Sequence, residues 1–235
     1  MSLVFKREHH QHIHQVLLAL DAGMLRSHHC YFGGGTAIVL GHGEYRESVH
    51  IDFLVSDIDA YRSLRQLLHT REGLEALFGV GRGPLLAVPT VRTDQYGIRA
   101  RLHVAASHIK FEIVFEARIN FDEPGAEDQI GGVSTLTEVD LAVSKLLANV
   151  DRWADAGVYS RDVIDLAMLE LSKPGWKQAF GKAETAYGVA VKRDVLKAAD
   201  FLKDSDRLAA SLKALAVNVP QAKVLDRLKH LASRC

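Results

Sequence analysis

The stretch YRESVHIDFLVSD, Tyr45–Asp57, has the pattern of a buried β-strand that carries polar side chains on one face. From Val49 to Val55 the residues first alternate and then become continuously apolar, which predicts a strand inside a sheet. Side chains two positions apart on a strand point to the same side, so His50 and Asp52 share one face. Burying an acid is costly unless it is paired or binds a cation. The stretch therefore raises the question of a catalytic metal site, or the remnant of one.

The length and composition are those of an ordinary globular protein. The 235 residues are 48% hydrophobic and 25% charged, which suits one large domain or two small ones. No run approaches the ~18 apolar residues of a membrane span, and the N-terminus lacks the pattern of a signal peptide. Two cysteines are too few for a disulfide framework. We therefore expect a cytoplasmic protein with no membrane partner.

The formal net charge of zero hides an uneven distribution along the chain. Residues 1–171 carry 16 Lys and Arg against 23 Asp and Glu, whereas residues 172–235 carry 13 against 6. A basic, helical C-terminal part favours a polyanion or an acidic protein as partner. Lys-rich helices that are merely soluble explain the same composition, and both interpretations stay open.

Hydrophobic periodicity predicts an α+β front part and an all-helical back part, with a boundary near residue 136. In the front part, helices are predicted over 7–26 and 58–79. Strands are predicted in CYFGGGTAIVLG, SVHIDFLVS, LLAVPTVRT, YGIRARLHVA, HIKFEIVFEARI and VSTLT. Behind the boundary, helices are predicted over 138–153, 160–171, 176–186, 188–203 and 205–233, the last split near Pro220. We therefore predict a small mixed β-sheet core with flanking helices in 1–136, followed by a helical bundle in 137–235.

Two acids lie inside apolar strands and are candidate metal ligands: Asp52 in HIDFL and Glu112 in IKFEIVF. On neighbouring strands their carboxylates could share a divalent ion, and Mg²⁺ prefers such oxygen ligands together with substrate phosphates. The alternative is that the acids pair with Lys110, Arg99 or Arg101 across the sheet. The sequence alone does not decide between a metal site and ion pairs.

A glycine turn, GGGTA, lies between a predicted strand and a predicted helix. Backbone N–H groups and the positive end of a helix can bind an anion at such a turn. The turn lacks the spacing of a P-loop or of a dinucleotide-binding fingerprint. A tight structural turn is therefore the simpler explanation of this motif taken alone.

A group of charged residues follows in the helical part. Lys145 is embedded in the apolar helix LAVSKLLA, and beyond it come Asp151, Arg152, Arg161, Asp162 and Asp165. Arg161 and Asp165 are four positions apart and can face each other on one helix. A solvated ion-pair network would explain this group. These residues are functional candidates only because they follow the glycine turn and the two strand acids in the chain.

Taken in this order, the features resemble the minimal nucleotidyltransferases grouped with AbiEii/AbiGii-type toxins, in the polymerase-beta-like superfamily. The first family motif resembles K-G-G-T-A-L followed by R-x-S-x-D-I-D-F, which stands here as GGTAI at 34–38 and RESVHIDF at 46–53. Glu112 of this chain resembles the third acid of the family motif. The helical motif matches KLLA at 145–148, DR at 151–152 and RDVIDL at 161–166. The resemblance spans roughly residues 30–170.

The resemblance implies a metal-dependent nucleotidyltransferase that moves a nucleotide from an NTP to an RNA, such as tRNA, or to a protein, as the toxin of a toxin–antitoxin pair. Nucleotide binding is expected from Gly34, Gly35, Thr36, Ser48, Asp162 and Asp165. Catalysis is expected from Asp52, Glu112, His50 and Lys145, with His50, Asp52 and Glu112 as the metal ligands. Lys145 would meet the phosphates, and Asp162 or Asp165 would orient it.

The resemblance also implies the cofactor and the partners. Mg²⁺ is the expected cofactor, with Mn²⁺ or another divalent ion as the alternative because of His50. The two-ion chemistry implied would activate the attacking hydroxyl and stabilise the departing pyrophosphate. The basic C-terminal helices would bind an RNA acceptor through its phosphates. An antitoxin protein is the other expected partner.

His50 departs from the pattern because it stands where the resemblance expects the first acid. A neutral imidazole brings one nitrogen and no charge, and it suits Zn²⁺, Mn²⁺ or Ni²⁺ better than Mg²⁺. The enzyme could use another metal or a single ion, or His50 could act as a general base. The alternative to an enzyme is a catalytically impaired module that binds nucleotide, RNA or a partner protein.

The remaining histidines are given weaker interpretations. The segment EHHQHIHQ places His10 and His14 four apart on one helix face, but no accompanying acid completes a zinc motif. We therefore expect a polar surface face. His103 and His108 lie near the strands of the predicted site and could touch a substrate.

Overall fold

The computed structural model describes residues 5–70, 73–79, 91–105 and 107–235. The chain divides into two compact units. The first comprises Met1–Leu40 and Ser48–Thr137, and the second comprises Gly41–Glu47 and Glu138–Cys235. The segment 41–47 belongs to the second unit although it precedes most of the sheet strands in the chain.

A mixed β-sheet forms the centre of the first unit. Within the described residues its strands are β1 (Tyr31–Gly33), β2 (His50–Val55), β3 (Arg92–Thr93), β4 (Gly97–Val104) and β5 (Ser107–Phe115). Their spatial order is β1-β2-β5-β4-β3, in which β2 and β5 are parallel and the other neighbours are antiparallel. The sheet therefore places β2 beside β5, the two strands that carry the predicted acids.

The two central strands each bury one face. Ile51 and Phe53 of β2 and Phe111 and Ile113 of β5 are completely buried. The residues between them on the opposite face, which we call the sheet face, are partly or fully exposed: His50, Asp52, Lys110 and Glu112. This alternation is the period-two pattern that the sequence shows, and it fixes which side chains are available for chemistry.

Helices and a short second sheet complete the first unit. The helices are α1 (Glu8–Ala19), α2 (Ala22–Ser27), α3 (Gly34–Gly41) and α4 (Ile58–Leu68), and β6 (Gln129–Ile130) pairs with β7 (Val133–Ser134). The single helix predicted over 7–26 is wrong, because Asp21 accepts a hydrogen bond from the Met24 backbone and begins a new helix. The helix predicted over 58–79 is too long, since α4 ends at Leu68 and a 3₁₀ turn follows at Gly73–Leu77.

The strand predicted in LLAVPTVRT falls largely outside the described residues. Only its end is described, as the two-residue strand β3, and residues 80–90 are not. The next two predicted strands correspond to β4 and β5. Of these three predicted strands, two are confirmed and one lies mostly outside the described residues.

The second unit is helical. It contains α5 (Glu138–Arg152), α6 (Arg161–Met168), α7 (Lys173–Tyr187), α8 (Ala190–Phe201), α9 (Ser205–Ala214) and α10 (Gln221–Ala232). α5 packs against α6, α7 and α8. Pro174 lies in the first turn of α7, where its missing N–H costs nothing. Ser160 directly precedes α6, but its hydroxyl makes no capping bond.

The predicted fold class, α+β with a small mixed sheet followed by a helical bundle, is confirmed. The predicted split of the last helix near Pro220 is also confirmed, since α9 ends before it and α10 begins after it. Among the described residues, no helix is long and apolar enough to cross a membrane.

Candidate functional site

The sheet register places the two strand acids directly opposite each other. Asp52 on β2 is the partner of Glu112 on β5, and Glu112 is the partner of Arg99 on β4. On the other side, Asp52 is the partner of Gly33, the last residue of β1. Directly opposed residues point to the same face of a sheet. The expectation that the two acids lie on neighbouring strands is therefore confirmed.

The glycine turn lies against the carboxylate of Asp52. Gly34 has a φ of +65°, and a Cβ atom added there would lie 2.7 Å from Asp52 Oδ2 and 3.0 Å from Asp52 Cβ. Both the backbone conformation and the close approach thus require glycine. Gly35 follows in the first turn of α3 and is half-buried. The turn and the strand acid are parts of one local structure.

A chain of hydrogen bonds anchors the start of β2 to α3. The Thr36 hydroxyl donates to the His50 carbonyl oxygen and is 2.7 Å from the Ser48 hydroxyl. Thr36 has one hydroxyl proton, which it donates to that carbonyl. The Ser48 hydroxyl is therefore the donor in its hydrogen bond with Thr36. Thr36 is 1% exposed. The structure brings these three residues together, and Thr36 holds the strand that carries His50 and Asp52.

His10 corrects the expectation of a polar surface face on α1. The side chain of His10 is fully buried, and its Nε2 accepts a hydrogen bond from the Ser48 backbone N–H at 3.1 Å. A backbone N–H can only donate, so Nε2 carries no proton. His14 packs edge-on against Phe5, and partial burial lowers its pKa. The residues of this helix face are polar, but their side chains make contacts within the first unit.

Glu112 is held by two cations of the same face. Its Oε1 lies 3.1 Å from Arg99 Nε, and its Oε2 lies 2.5 Å from Lys110 Nζ. Arg99 also donates to Asp94 at 2.7 Å. The side chains of Lys110 and Arg99 are 49% and 42% exposed, whereas that of Glu112 is 15% exposed. The predicted pairing with Lys110 and Arg99 is therefore confirmed for Glu112.

The two opposed carboxylates can be compared with the needs of a divalent ion. Mg²⁺ is commonly bound by one or two carboxylates, completed by water and substrate phosphates, and Asp52 and Glu112 fit that requirement. Across the part of the chain that the structure describes, no group of three or more His, Cys, Asp or Glu is arranged to hold a metal. The ligand set of His50, Asp52 and Glu112 stays a prediction.

The predicted residues of the helical part lie together in the second unit. Lys145 Nζ is 2.9 Å from Asp162 Oδ1 and 2.7 Å from Asp165 Oδ2. All three side chains are at least nine-tenths buried. Arg152 also binds Asp162 through two nitrogens, at 2.7 and 2.9 Å. Lys145 therefore joins α5 to α6 through two carboxylates, and its contact with phosphates stays a prediction.

Asp165 has a second set of partners that sequence reasoning missed. Arg46 binds both of its oxygens, through Nε at 2.7 Å and Nη2 at 2.8 Å, and the Tyr45 hydroxyl donates to it at 2.6 Å. The expected partner on the same helix was Arg161. Arg46 opens the motif RESVHIDF, so the resemblance contained a signal that could have found it. We call Arg46, Lys145, Arg152, Asp162 and Asp165 the ion-pair cluster.

The charges of the ion-pair cluster shift one another's pKa values. Burial alone would raise the pKa of Asp162, but Lys145 and Arg152 lower it further than burial raises it. Burial likewise opposes the lowered pKa of Asp165, which Arg46 and Lys145 produce. Burial and the charge of Asp165 raise the pKa of Tyr45 well above its usual range. Near neutral pH both acids are therefore ionised and the phenol is neutral.

Comparison with known proteins supports one family. Two solved structures from Helicobacter pylori resemble the chain: one provisionally described as a nucleotidyltransferase, at 14% identity and a TM-score of 0.52, and JHP933, at 15% and 0.51. The matches cover 98% of this chain, and 97% and 94% of the other two. At such identities they show the fold alone. No curated protein sequence matches the chain.

The family described as "Nucleotidyl transferase AbiEii toxin, Type IV TA system" matches residues 19–231. That match includes the glycine turn, both strand acids and the whole ion-pair cluster. Because it spans most of the 235 residues, the chain belongs to the AbiEii family of nucleotidyl transferase toxins.

Proposed function

We propose that this protein is an active, metal-dependent nucleotidyltransferase that moves a nucleotide from an NTP to an RNA acceptor, as the toxin of a toxin–antitoxin pair. The observation that carries the proposal is the row of Gly33, Asp52 and Glu112 across three strands, with the turn at Gly34 packed against Asp52. Family membership supports the reaction type. The row supplies two carboxylates beside a turn whose backbone can approach phosphates closely.

The strand acids, the glycine turn and His50 each have a defined task in this proposal. Asp52 and Glu112 would hold a divalent ion, which would help to activate the attacking hydroxyl and stabilise the leaving pyrophosphate. The turn at Gly34 and Gly35 would receive the triphosphate, and Thr36 would keep β2 in place. An acceptor oxygen bonds to the α-phosphorus as the bond to the β-phosphate oxygen breaks. His50 is a candidate to accept the hydroxyl proton, since an imidazole in water has a pKa of about 6.5.

A second candidate function is a module that binds nucleotide or RNA without catalysis. The observation that favours it is the pairing of Glu112 with Arg99 and Lys110, which neutralises the charge of Glu112 within the protein. His50 adds no negative charge at neutral pH. A divalent ion would have to compete with these cations for Glu112.

The acceptor and the partner are proposed from charge and family. Residues 172–235 carry a surplus of Lys and Arg, which suits an RNA because phosphate contacts dominate such affinity. The family description places its members in toxin–antitoxin systems, which implies an antitoxin partner. We propose both for this chain, with tRNA among the RNAs to be tested and protein as the alternative acceptor.

The test is transfer of label from each α-³²P-NTP to total cellular RNA and to total cellular protein, with Mg²⁺ and with Mn²⁺. The natural protein is compared with Asp52→Ala, His50→Asp and the control Asp59→Ala, which removes an acid that is exposed on α4 of the same unit. The natural protein and the control are expected to transfer label. Losing a metal ligand removes several kcal/mol of transition-state stabilisation, so Asp52→Ala is expected to lose roughly 10²–10³-fold.

The other outcomes separate the candidate functions. If the natural protein is silent and His50→Asp transfers label, the site has lost catalysis and the binding module is correct. If the natural protein labels protein instead of RNA, the acceptor proposal is wrong but the transferase stands. If none of the variants transfers label to either acceptor, the proposal of an active enzyme fails.

A further inference from the structure

We propose that the sheet face binds one divalent ion. We propose further that the Lys110 ammonium, which lies beside that ion, binds the phosphates of the nucleotide. This inference rests on the proposed function and names a phosphate-binding residue within the same site. It follows from the register of three neighbouring strands and from the charges that this register brings together.

Two rows of side chains cross the sheet face. The first row runs from Asp52 through Glu112 and Arg99 to Arg92, each directly opposite the next on β2, β5, β4 and β3. The second row, two residues along, runs from His50 through Lys110 to Arg101. The acids thus stand at one end of the first row. Cations fill the rest of that row and the position beside His50.

The charge on this face limits how many divalent ions it can hold. Among the described residues of the sheet strands, two carboxylates, Asp52 and Glu112, share the face with four cations: Arg92, Arg99, Arg101 and Lys110. Asp94, at the turn before β4, pairs with Arg99 and still leaves the cations in the majority. Two divalent ions would bring four positive charges to a face that already has a surplus. One ion, accompanied by the negative charge of a triphosphate, can be accommodated.

Lys110 is the cation placed to meet those phosphates. It lies opposite His50 and two residues from Glu112, so its Nζ is within reach of the acid pair. Its side chain is 49% exposed and ends in a mobile ammonium, whereas Arg99 is fixed between Asp94 and Glu112. When Glu112 binds a divalent ion, repulsion between like charges releases the ammonium from this carboxylate. The ammonium can then turn to the triphosphate oxygens.

The first experiment measures binding of inorganic tripolyphosphate by calorimetry in Mg²⁺. The variant is Lys110→Met, which removes the ammonium but keeps the length of the side chain. The control is Arg62→Met, which removes an exposed cation of the same unit that pairs with Asp59 on α4. Loss of a charge-assisted hydrogen bond is expected to weaken binding by roughly tenfold or more in Lys110→Met. The control is expected to bind as the natural protein does.

The second experiment counts bound Mn²⁺ ions per chain by electron paramagnetic resonance. One tightly bound ion is expected for the natural protein, and a second is expected in the double variant His50→Asp, Lys110→Met, which adds an acid and removes a cation. Two tight ions in the natural protein would overturn the inference. So would binding of tripolyphosphate by Lys110→Met that equals binding by the control.

The inference and the proposed function fail in different ways. If the natural protein transfers label but Lys110→Met binds tripolyphosphate normally, the role of Lys110 is wrong and the transferase stands. If Lys110→Met weakens binding but no variant transfers label, the phosphate site stands and the enzyme does not. If the natural protein neither binds tripolyphosphate nor transfers label, both are wrong.

Discussion

The sheet face of the first unit and the ion-pair cluster of the second are made from the same kinds of residue, but the protein satisfies their charges to different degrees. In the cluster, Asp165 is fully buried and both its oxygens are bound by protein cations. On the sheet face, the cations that hold Glu112 are nearly half-exposed. A buried, fully paired network costs too much to open for a substrate, whereas an exposed pair can exchange partners. From this difference we infer that the ion-pair cluster stabilises the second unit and that the sheet face is the candidate for chemistry.

The largest expected effect tests this assignment at Lys145. Lys145→Met leaves Asp162 and Asp165 without their shared ammonium in a buried site. Breaking a buried ion pair by removing one partner costs about 3–5 kcal/mol. We therefore expect the free energy of unfolding of the second unit to fall by that amount, measured by urea denaturation.

The matched control is Lys203→Met, which breaks the exposed i,i+3 pair with Asp200 in the same unit. That variant is expected to unfold as the natural protein does, because exposed pairs contribute little. Unchanged stability in Lys145→Met, together with lost transfer activity, would contradict the comparison. It would show Lys145 to be a catalytic residue whose buried pairing is incidental.

The features that the sequence predicts are those that a regular period encodes. Burial on one face gives β2 and β5 their alternation, and that alternation predicts that Asp52 and Glu112 lie opposite the buried apolar side chains of their strands. The boundary near 136 follows from the change from a period of two to a period of 3.6. What periodicity cannot supply is the partner of a buried charge. Arg46 lies 119 positions from Asp165 and no local pattern joins them.

Single side-chain contacts also decide features that a pattern cannot show. His10 stands in a run of polar residues, yet its side chain is buried and its ring accepts a hydrogen bond from the Ser48 backbone N–H. The helix predicted over 7–26 breaks because Asp21 can cap a new helix. The pattern around Glu112 suits a metal ligand or an ion-pair partner, and only the positions of Arg99 and Lys110 show the pairing.

The second prediction concerns the backbone of the sheet-face site. Gly34→Ala forces a side chain into a left-handed conformation and brings its Cβ to 2.7 Å from Asp52 Oδ2. The conformation costs about 1–2 kcal/mol, and the overlap adds about 1–3 kcal/mol unless Asp52 moves. We expect a loss of stability of about 2–5 kcal/mol, at or below that of Lys145→Met, measured by urea denaturation, together with loss of label transfer.

Gly132→Ala separates the two causes. Gly132 also has a positive φ, +84°, but a Cβ atom there would meet nothing within 4 Å. This control should show the conformational cost alone and keep its transfer activity. Equal losses of stability and activity in the two variants would mean that the close contact between the turn and Asp52 is not needed for activity.

The smallest effect is expected from pH, because it is absent near neutrality and appears only in acid. The pKa values of Asp162 and Asp165 are lower in the folded protein than the value of about 3.9 for an aspartate in an unfolded chain. A lowered folded pKa contributes stability above the unfolded value and loses it as the pH falls toward the folded value. The free energy of unfolding should therefore decline below about pH 4, by about 1.4 kcal/mol for each unit of lowering that is titrated.

Urea denaturation between neutral and acid pH checks this, with two asparagine variants as comparison. Asp162→Asn is expected to be less stable near neutrality but to lose less on acidification, since the titrating group is gone. Asp200→Asn, which removes an acid from an exposed pair, should keep the slope of the natural protein. If Asp162→Asn keeps that slope as well, the acid sensitivity arises outside the ion-pair cluster. The cluster would then not be the charge network that holds the second unit together.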